Sequence, residues 1–204
     1  MLTAAVSTES VRASVRREAN RRRALAAMTE VVGERGYPET TVRDVLVRAR
    51  MSRRTFYELF DNREDCFLAA YEHARGEALA WLDRDHEPRE PFLQHLTSAL
   101  TRVLEHLAAR PDFARLLLVE PPAVGPSGVE RHERTMSELA DRLARSRPPA
   151  APELRPEELQ LRCEASVGAL HRVVSSRIVE GRARDLPGMA GELVGLVRTL
   201  AAVS

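Results

Sequence analysis

Residues Met51–Phe60 read MSRRTFYELF, and this stretch combines side chains that ordinarily belong to different environments. Three aromatic residues fall within five positions, beside a pair of arginines, in a chain whose aromatic content is only 4%. At about 100° per residue, Phe56, Leu59 and Phe60 share one side of a helix, and the arginine pair lies on the opposite side. The stretch therefore predicts a short helix that is anchored by an apolar face and presents a basic face.

Cap signals place this helix directly after another one. Thr41 followed by Asp44 resembles a capping box, and the apolar residues within 42–49 have helical spacing. Ser52 is suited to cap the helix of the opening stretch, and Asn62 is suited to cap a further helix. Two capped helices joined by a turn of about three residues form the helix-turn-helix pattern. In such a motif, arginine on the second helix can pair with guanine edges in the major groove of DNA.

The segment before this motif is strongly basic. A helix is predicted from about residue 21 to residue 35, with Gly36 as its C-terminal cap. Residues 10–23, SVRASVRREANRRR, either extend that helix or form a loose basic arm, which would be a solvated surface or a minor-groove contact. Residues 10–54 carry twelve arginines and five acidic residues, a net charge of +7 in a chain of net charge +1. This asymmetry indicates a module that faces a polyanion.

Apolar residues recur at helical spacing through the rest of the chain, and strand patterns are nearly absent, so the predicted fold class is all-α. Beyond the helix that Asn62 begins, further helices are predicted over residues 91–107, 112–119, 130–145, 157–180 and 189–203. Three interruptions are expected, namely a loop or helix break at 121–128, a linker at 147–156 and a break at 181–188.

Several classes of protein are disfavoured by the sequence. No apolar run of about 18 residues occurs, and the N-terminus lacks the layout of a signal peptide, so a cytoplasmic protein without a membrane span is expected. Cys66 and Cys163 form no metal or redox motif and are expected to be free, semi-buried thiols. The six histidines show no metal-ligand spacing, and no catalytic motif is present, so neither a cofactor, a metal nor an enzymatic activity is expected.

The N-terminal region resembles the TetR family of bacterial transcriptional regulators from residue 21 to about residue 70. Three segments carry the resemblance, namely GERGYPETTVRDV at 33–45, ARMSRRTFYELF at 49–60 and DNRED at 61–65. It implies an N-terminal three-helix helix-turn-helix DNA-binding domain and a C-terminal helical domain for ligand binding and dimerisation. The expected organisation is a flexible basic arm (1–20), a DNA-binding domain (21–72) and an effector-binding and dimerisation domain (73–204).

The resemblance also implies which residues contact DNA. Carried over by position, they are Thr41, Arg43, Ser52, Arg53, Arg54, Thr55, Tyr57 and Arg63. Those at 52–55 would face the groove, whereas Tyr57 and Arg63 would bind phosphates; the hydroxyls at 41 and 52 are also expected to serve as caps. Two residues depart from the family pattern. Arg50 stands where many members have glycine, so the turn either uses another geometry or tolerates strain. Glu58 would accept from a cytosine amino group, pair with Arg54 or disfavour some DNA sequences.

In the second region, the resemblance implies an effector pocket and a dimer interface. The candidate pocket residues are Phe92, His95, Leu96, Leu100, Phe113, Leu117 and His171, with His106 and Glu120 as further polar contacts. For each of these residues, a place in the ordinary core or on the surface is the favoured interpretation, and a pocket role is the alternative. The helices at 157–180 and 189–203 are expected to form the interface of a homodimer, and the effector is expected to be largely apolar.

The function implied is a ligand-responsive regulator of transcription. The expected form is a repressor that binds a palindromic operator in double-stranded DNA as a homodimer and is released by a small-molecule effector. The alternative is a helical interaction protein with a degenerate DNA-binding head, which the departures at positions 50 and 58 motivate.

Overall fold

The computed structural model describes residues 8–83, 92–146 and 154–201, and these ranges are helical without any strand, which confirms the all-α class. They contain the helices α1 (Thr8–Arg35), α2 (Val42–Ala49), α3 (Arg53–Tyr57), α4 (Arg63–Asp83), α5 (Phe92–Ala109), α6 (Pro111–Leu118), α7 (Pro121–Val124), α8 (Pro126–Arg145), α9 (Pro156–Val179) and α10 (Ala190–Leu200), together with a 3₁₀ helix at Ala183–Met189. None of the helices within these ranges has the length and apolar character needed to cross a membrane.

The second half of α1 packs with α2, α3 and the start of α4 into the N-terminal head. Its core contains the two aromatic anchors predicted from the opening stretch, since Phe56 and Phe60 are both buried, whereas Leu59 is only partly buried. The helix is shorter than the apolar spacing indicates. It ends at Tyr57, because the backbone then tightens and the N–H groups of Leu59 and Phe60 both donate to the carbonyl of Phe56.

The N-terminal arm is helical in the structure, from Thr8 onward, rather than the flexible segment expected at 1–20. No glycine or proline interrupts residues 8–32, and alanine and arginine are strong helix formers, so α1 begins at Thr8 and not near residue 21. Residues 1–7 lie outside the described residues. The side chains at 11–18 are exposed, so this part of α1 is a helical projection.

The remaining differences from the predicted helix boundaries occur at or near prolines. The break expected at 121–128 contains two helix starts, with Pro121 and Pro126 in first-turn positions and Gly125 between them at φ 107°. The break expected at 181–188 is mostly the 3₁₀ helix. Residues 147–153 of the expected linker lie outside the described residues, and α9 begins at Pro156.

Two contacts near the end of α1 hold the head to the C-terminal region. First, α1 passes α6 so closely at Gly33 that an added Cβ would lie 2.3 Å from Cβ and 2.5 Å from Cα of Asp112. Second, the buried carboxylate of Glu120 accepts hydrogen bonds from the backbone N–H of Tyr37, at 2.8 Å, and from Nε of Arg115, at 2.7 Å. The head–body junction, defined by these two contacts, ties the connection between α1 and α2 to α6 and α7.

Candidate nucleic-acid interface

The two helices of the helix-turn-helix are positioned by side-chain caps. The hydroxyl of Thr41 accepts from the N–H of Asp44 at 3.3 Å, and the Asp44 carboxylate accepts from the N–H of Thr41 at 2.9 Å. The Thr41 hydroxyl also donates to the Asp44 carboxylate at 2.6 Å, and this hydrogen bond, together with the one from the N–H of Thr41, holds the pKa of Asp44 below its usual value. At α3, the Ser52 hydroxyl accepts from the N–H of Thr55 at 3.1 Å. The capping roles predicted for the hydroxyls at 41 and 52 are therefore confirmed.

The turn between α2 and α3 passes through Arg50 in the left-handed conformation, with φ 49° and ψ 53°. Its N–H donates to the carbonyl of Val47 at 3.2 Å, and the next N–H, of Met51, donates to Leu46 at 3.1 Å. Such a conformation costs a non-glycine residue about 1–2 kcal/mol. Of the two expectations for this position, strain in an αL turn is the one observed.

Replacing Arg50 with glycine is expected to raise the free energy of unfolding by up to about 1 kcal/mol, because the strain is relieved while the unfolded chain gains some entropy. The measurement is urea denaturation followed by far-UV circular dichroism. Arg43→Gly is the matched control, since Arg43 is exposed within α2 and has no strain to relieve. It should lose about 1 kcal/mol. Equal losses at both positions would show that the turn is unstrained.

The outer face of α3 is exposed and polar. Arg53 and Arg54 are exposed, and Thr55 is half-buried at the edge of this face. The Nε of Arg54 donates to Oε1 of Glu58 at 2.9 Å, an exposed i,i+4 pair that leaves the two terminal nitrogens of the guanidinium available. An exposed pair of this kind contributes little to stability, but it sets the direction in which Arg54 points.

The residues on either side of this face, Arg43 and Tyr57, expose different chemical groups. Arg43 is exposed on α2. Tyr57 is 47% exposed, its ring stands edge-on to Phe56 at 5.4 Å, and its hydroxyl makes no hydrogen bond to any described residue. A phenol with this exposure and a free hydroxyl is suited to donate to a phosphate.

One nitrogen of the Arg63 guanidinium binds the loop that precedes α2. Its Nη1 donates to the carbonyls of Tyr37 at 3.3 Å and Pro38 at 3.5 Å and also to that of Thr40, while the group lies 4.2 Å above the centroid of the Tyr37 ring. The carbonyls of this connection lack helical partners because α1 has ended at Gly36. The side chain implied to bind phosphate therefore shapes the loop that leads into α2.

The residues predicted for an effector pocket do not converge on one place. Phe113 and Leu117 are buried in the larger hydrophobic cluster, against which Leu100 packs, whereas Phe92 and Leu96 pack against a second cluster around Cys163. His95 lies on α5, partly buried.

The two other polar candidates have roles within the fold. The ring of His106 stacks on Trp81 at 4.3 Å, and its Nδ1 lies 2.7 Å from the carbonyl oxygen of Arg102. Glu120 belongs to the head–body junction, where Tyr37 and Arg115 already use its carboxylate. Both side chains thus make contacts within the fold.

A polar cluster lies instead where α4, α6, α8 and α9 meet. His171 places its Nε2 3.0 Å from the carbonyl oxygen of Leu118, and its ring centroid is 4.7 Å from that of His132. Burial and the neighbouring His171 lower the pKa of His132 to about 4, so its ring is neutral near pH 7. Beside this pair, the hydroxyl of buried Tyr71 lies 2.9 Å from that of Thr135. His132, Thr135, His171 and Tyr71 are called the interior polar cluster below.

Sequence reasoning found only His171 of this cluster. A signal was present on α8, because His132 and Thr135 interrupt the apolar stripe that Met136 and Leu139 continue. Polar residues inside such a stripe must find partners in the interior.

The cysteines and the residues able to bind a metal form no further candidate site within the described ranges. Cys66 and Cys163 are both buried thiols, and burial raises the pKa of Cys66 to about 12, which makes it unreactive. Among the residues of the described ranges, no three histidine, cysteine, aspartate or glutamate side chains are grouped to hold a metal ion.

Comparison with solved structures finds the same fold in transcriptional regulators. The fatty acid degradation regulator FadR from Bacillus halodurans is 17% identical with a TM-score of 0.72, over 87% of this chain and 93% of that one. FadR from Bacillus subtilis, in complex with stearoyl-CoA, is 14% identical with a TM-score of 0.73, over 89% and 98%. A TetR-like transcriptional regulator from Rhodococcus sp. RHA1 is 22% identical with a TM-score of 0.66, over 89% and 96%. A search of curated proteins gives no match.

The head matches a protein-family model. Residues 24–70 match the sequence model described as bacterial regulatory proteins, tetR family, and this span contains the capped helix pair and its buried aromatic anchors. Over these residues the head therefore matches the tetR family of bacterial regulatory proteins, and the fold of the described residues matches that of the solved regulators.

Proposed function

We propose that the chain is a repressor that binds a palindromic operator as a homodimer and leaves it when a small molecule binds. The DNA-binding part is 21–72 and the effector-binding and dimerisation part is 73–204. The observation that carries the proposal is α3, whose apolar side is buried in the head while its arginines, Arg53 and Arg54, remain exposed. Arg50, which motivated a degenerate head, adopts the αL conformation that glycine would supply, so a regular turn supports DNA binding.

On this proposal, the DNA contacts fall into two groups. Ser52, Arg53, Arg54 and Thr55 face the major groove, and Arg54 is aimed by its pair with Glu58. Thr41, Arg43 and Tyr57 contact the phosphates that flank the groove. Arg63 acts indirectly, since it holds the loop that starts α2.

Two substitutions separate the groups. Arg54→Ala should cost about 1–3 kcal/mol at the cognate site and relax the preference at one base position, because a bidentate pair with guanine is lost. Tyr57→Phe should weaken binding to all sequences by a similar factor, because a phosphate contact carries no base information. Mobility-shift titrations on the operator and on single-base variants measure both effects. If both proteins bound like the wild type, these site assignments would be wrong.

Open glycines on two helices support the homodimer. Gly168 on α9 and Gly191 and Gly195 on α10 have no atom within 4 Å of the position of an added Cβ, so the described part of the chain gives no packing reason for them. Glycine costs a helix about 1 kcal/mol relative to alanine. On the outer side of α9, Leu161 and Val179 are each 66% exposed. Small residues beside exposed apolar ones fit close approach of the same two helices from a second copy.

Gly195→Trp is therefore expected to convert the dimer to a monomer and to abolish tight operator binding, because the large ring would occupy the space of the partner helix. Sedimentation velocity measures the mass, and circular dichroism checks the fold. Gly76→Trp is the control, as Gly76 is equally open on α4, away from this face. A Gly195→Trp protein that remains a dimer would place the interface elsewhere.

We propose an effector with a long apolar part and one or more polar groups. Support comes from the interior polar cluster, where neutral His132 has a buried Nδ1 without a partner among the described residues. Similar support comes from the FadR of Bacillus subtilis, whose structure contains stearoyl-CoA. A polar group of the effector would bond to this nitrogen while its apolar part replaces contacts among α5, α6 and α9.

A further inference from the structure

The first part of α1 differs from the rest of the surface in its charge. Between residues 8 and 23 it carries six arginines, namely Arg12, Arg16, Arg17, Arg21, Arg22 and Arg23. None of the six forms an ion pair with a carboxylate in the described ranges. On α4, by contrast, Arg75 pairs with both Glu72 and Glu138. Six guanidinium groups without carboxylate partners on about four helical turns repel one another and favour an external polyanion.

This basic segment is attached to the recognition helix. Nη2 of Arg17 donates to the carbonyl of Glu58, which caps α3, at 3.4 Å. The guanidinium of Arg21 lies 5.2 Å above the centroid of the Phe60 ring. Arg17 and Arg21 thus face α3, and the segment lies beside the end of the helix that would enter the major groove.

The other arginines remain available on a different side. Arg12, Arg16 and Arg23 are separated by four and seven positions, so at 3.6 residues per turn they share one stripe. All three are exposed. This stripe lies roughly 140° around the helix axis, about two fifths of a turn, from the side that touches α3.

We propose that Arg12, Arg16 and Arg23 bind the phosphate backbone of the DNA that flanks the site read by α3, an extension that rests on the proposed function. A helix with its side chains is about 10–12 Å across, and the minor groove of B-DNA is about 6 Å wide. The segment, which is helical from Thr8, therefore lies across the backbone instead of entering the groove. Its contribution is independent of the flanking sequence.

An anionic membrane surface is the competing partner. Val11 and Val15 are exposed on the same helix, at 48% and 63%, and basic helices with apolar side chains bind such surfaces. The attachment through Arg17 and Arg21 favours DNA, because it aligns the segment with α3.

The test compares the wild type with the triple variant Arg12→Gln, Arg16→Gln, Arg23→Gln. Fluorescence anisotropy titrations at 50–200 mM salt use the selected operator with long flanks of differing sequence. Loss of three phosphate contacts should reduce the slope of log K against log salt by about 3. The ratio of wild-type to variant affinity should then shrink by roughly 40-fold across this range. Glutamine keeps the helix propensity, which circular dichroism verifies.

The control removes three arginines from the body, with Arg134→Gln, Arg145→Gln and Arg184→Gln, and should leave the slope unchanged. Equal slopes of log K against log salt for the wild type and the α1 variant would overturn the proposal. If both proteins still selected the operator, the proposed regulator function would stand. If the affinity lost in the α1 variant depended on the base sequence of the flanks, the proposal would be overturned, because the arginines would then contact bases in a groove. Loss of binding to phosphatidylglycerol vesicles with unchanged DNA binding would overturn it in favour of the membrane. Failure of the wild type to select any DNA would remove both the proposed function and this extension.

Discussion

Gly33→Ala is expected to lower the free energy of unfolding by about 3 kcal/mol or more. The added methyl would lie 2.3 Å from Cβ and 2.5 Å from Cα of Asp112, and a backbone atom on α6 cannot rotate away as a side chain can. Overpacking of this kind typically costs about 1–3 kcal/mol, and the upper end applies because two helices must separate. Urea denaturation followed by circular dichroism gives the value.

Two companion variants make this result specific. Gly76→Ala, at an open position of α4, should instead stabilise by about 1 kcal/mol, because alanine is the better helix former. Asp112→Ala should fail to rescue Gly33→Ala, since the Cα and Cβ that obstruct the methyl remain. A Gly33→Ala protein as stable as the wild type would mean that α1 and α6 are farther apart than described here.

Glu120→Ala is expected to cost about 2–3 kcal/mol. The carboxylate is only 4% exposed and accepts from the N–H of Tyr37 and from Arg115, so its removal leaves a buried backbone donor unpaired. Arg115 is 39% exposed and can turn to water, which limits the loss. Thermal and urea unfolding measure the change.

Glu120→Gln separates the hydrogen bond from the charge. Its amide oxygen can still accept from the N–H of Tyr37, so the loss should be about half as large. Glu105→Ala is the surface control, since Glu105 is exposed on α5, and it should change stability by no more than about 0.5 kcal/mol. Equal losses for alanine and glutamine at position 120 would assign the effect to the charge pair with Arg115 alone.

The features that could be predicted from the sequence are those that depend on residues close together in the chain. The capping box at Thr41, the cap at Ser52 and the burial of Phe56 and Phe60 all depend on residues within about four positions of one another. The αL turn at Arg50 was one of two expectations. The position in the motif favoured a left-handed residue, whereas arginine, unlike glycine, adopts that conformation only with strain.

What could not be predicted depends on how distant helices are placed. Tyr37 and Glu120 are 83 positions apart, and the pairing of His132 with His171 depends on the register of α8 against α9. Helical periodicity states which face is apolar and leaves that register open. The contact of Arg63 with loop carbonyls has the same origin, since 23 positions separate it from Thr40.

Selection of genomic DNA fragments by the immobilised wild-type chain, with the Arg53→Ala, Arg54→Ala double variant in parallel, tests most directly whether α3 reads an operator. The wild type should enrich fragments that share a two-fold symmetric sequence, with half-sites about one helical turn apart, and binding should weaken steeply with salt. The double variant should lose this enrichment while remaining folded. Enrichment of no common sequence by the wild type, or the same sequence by both proteins, would contradict the account.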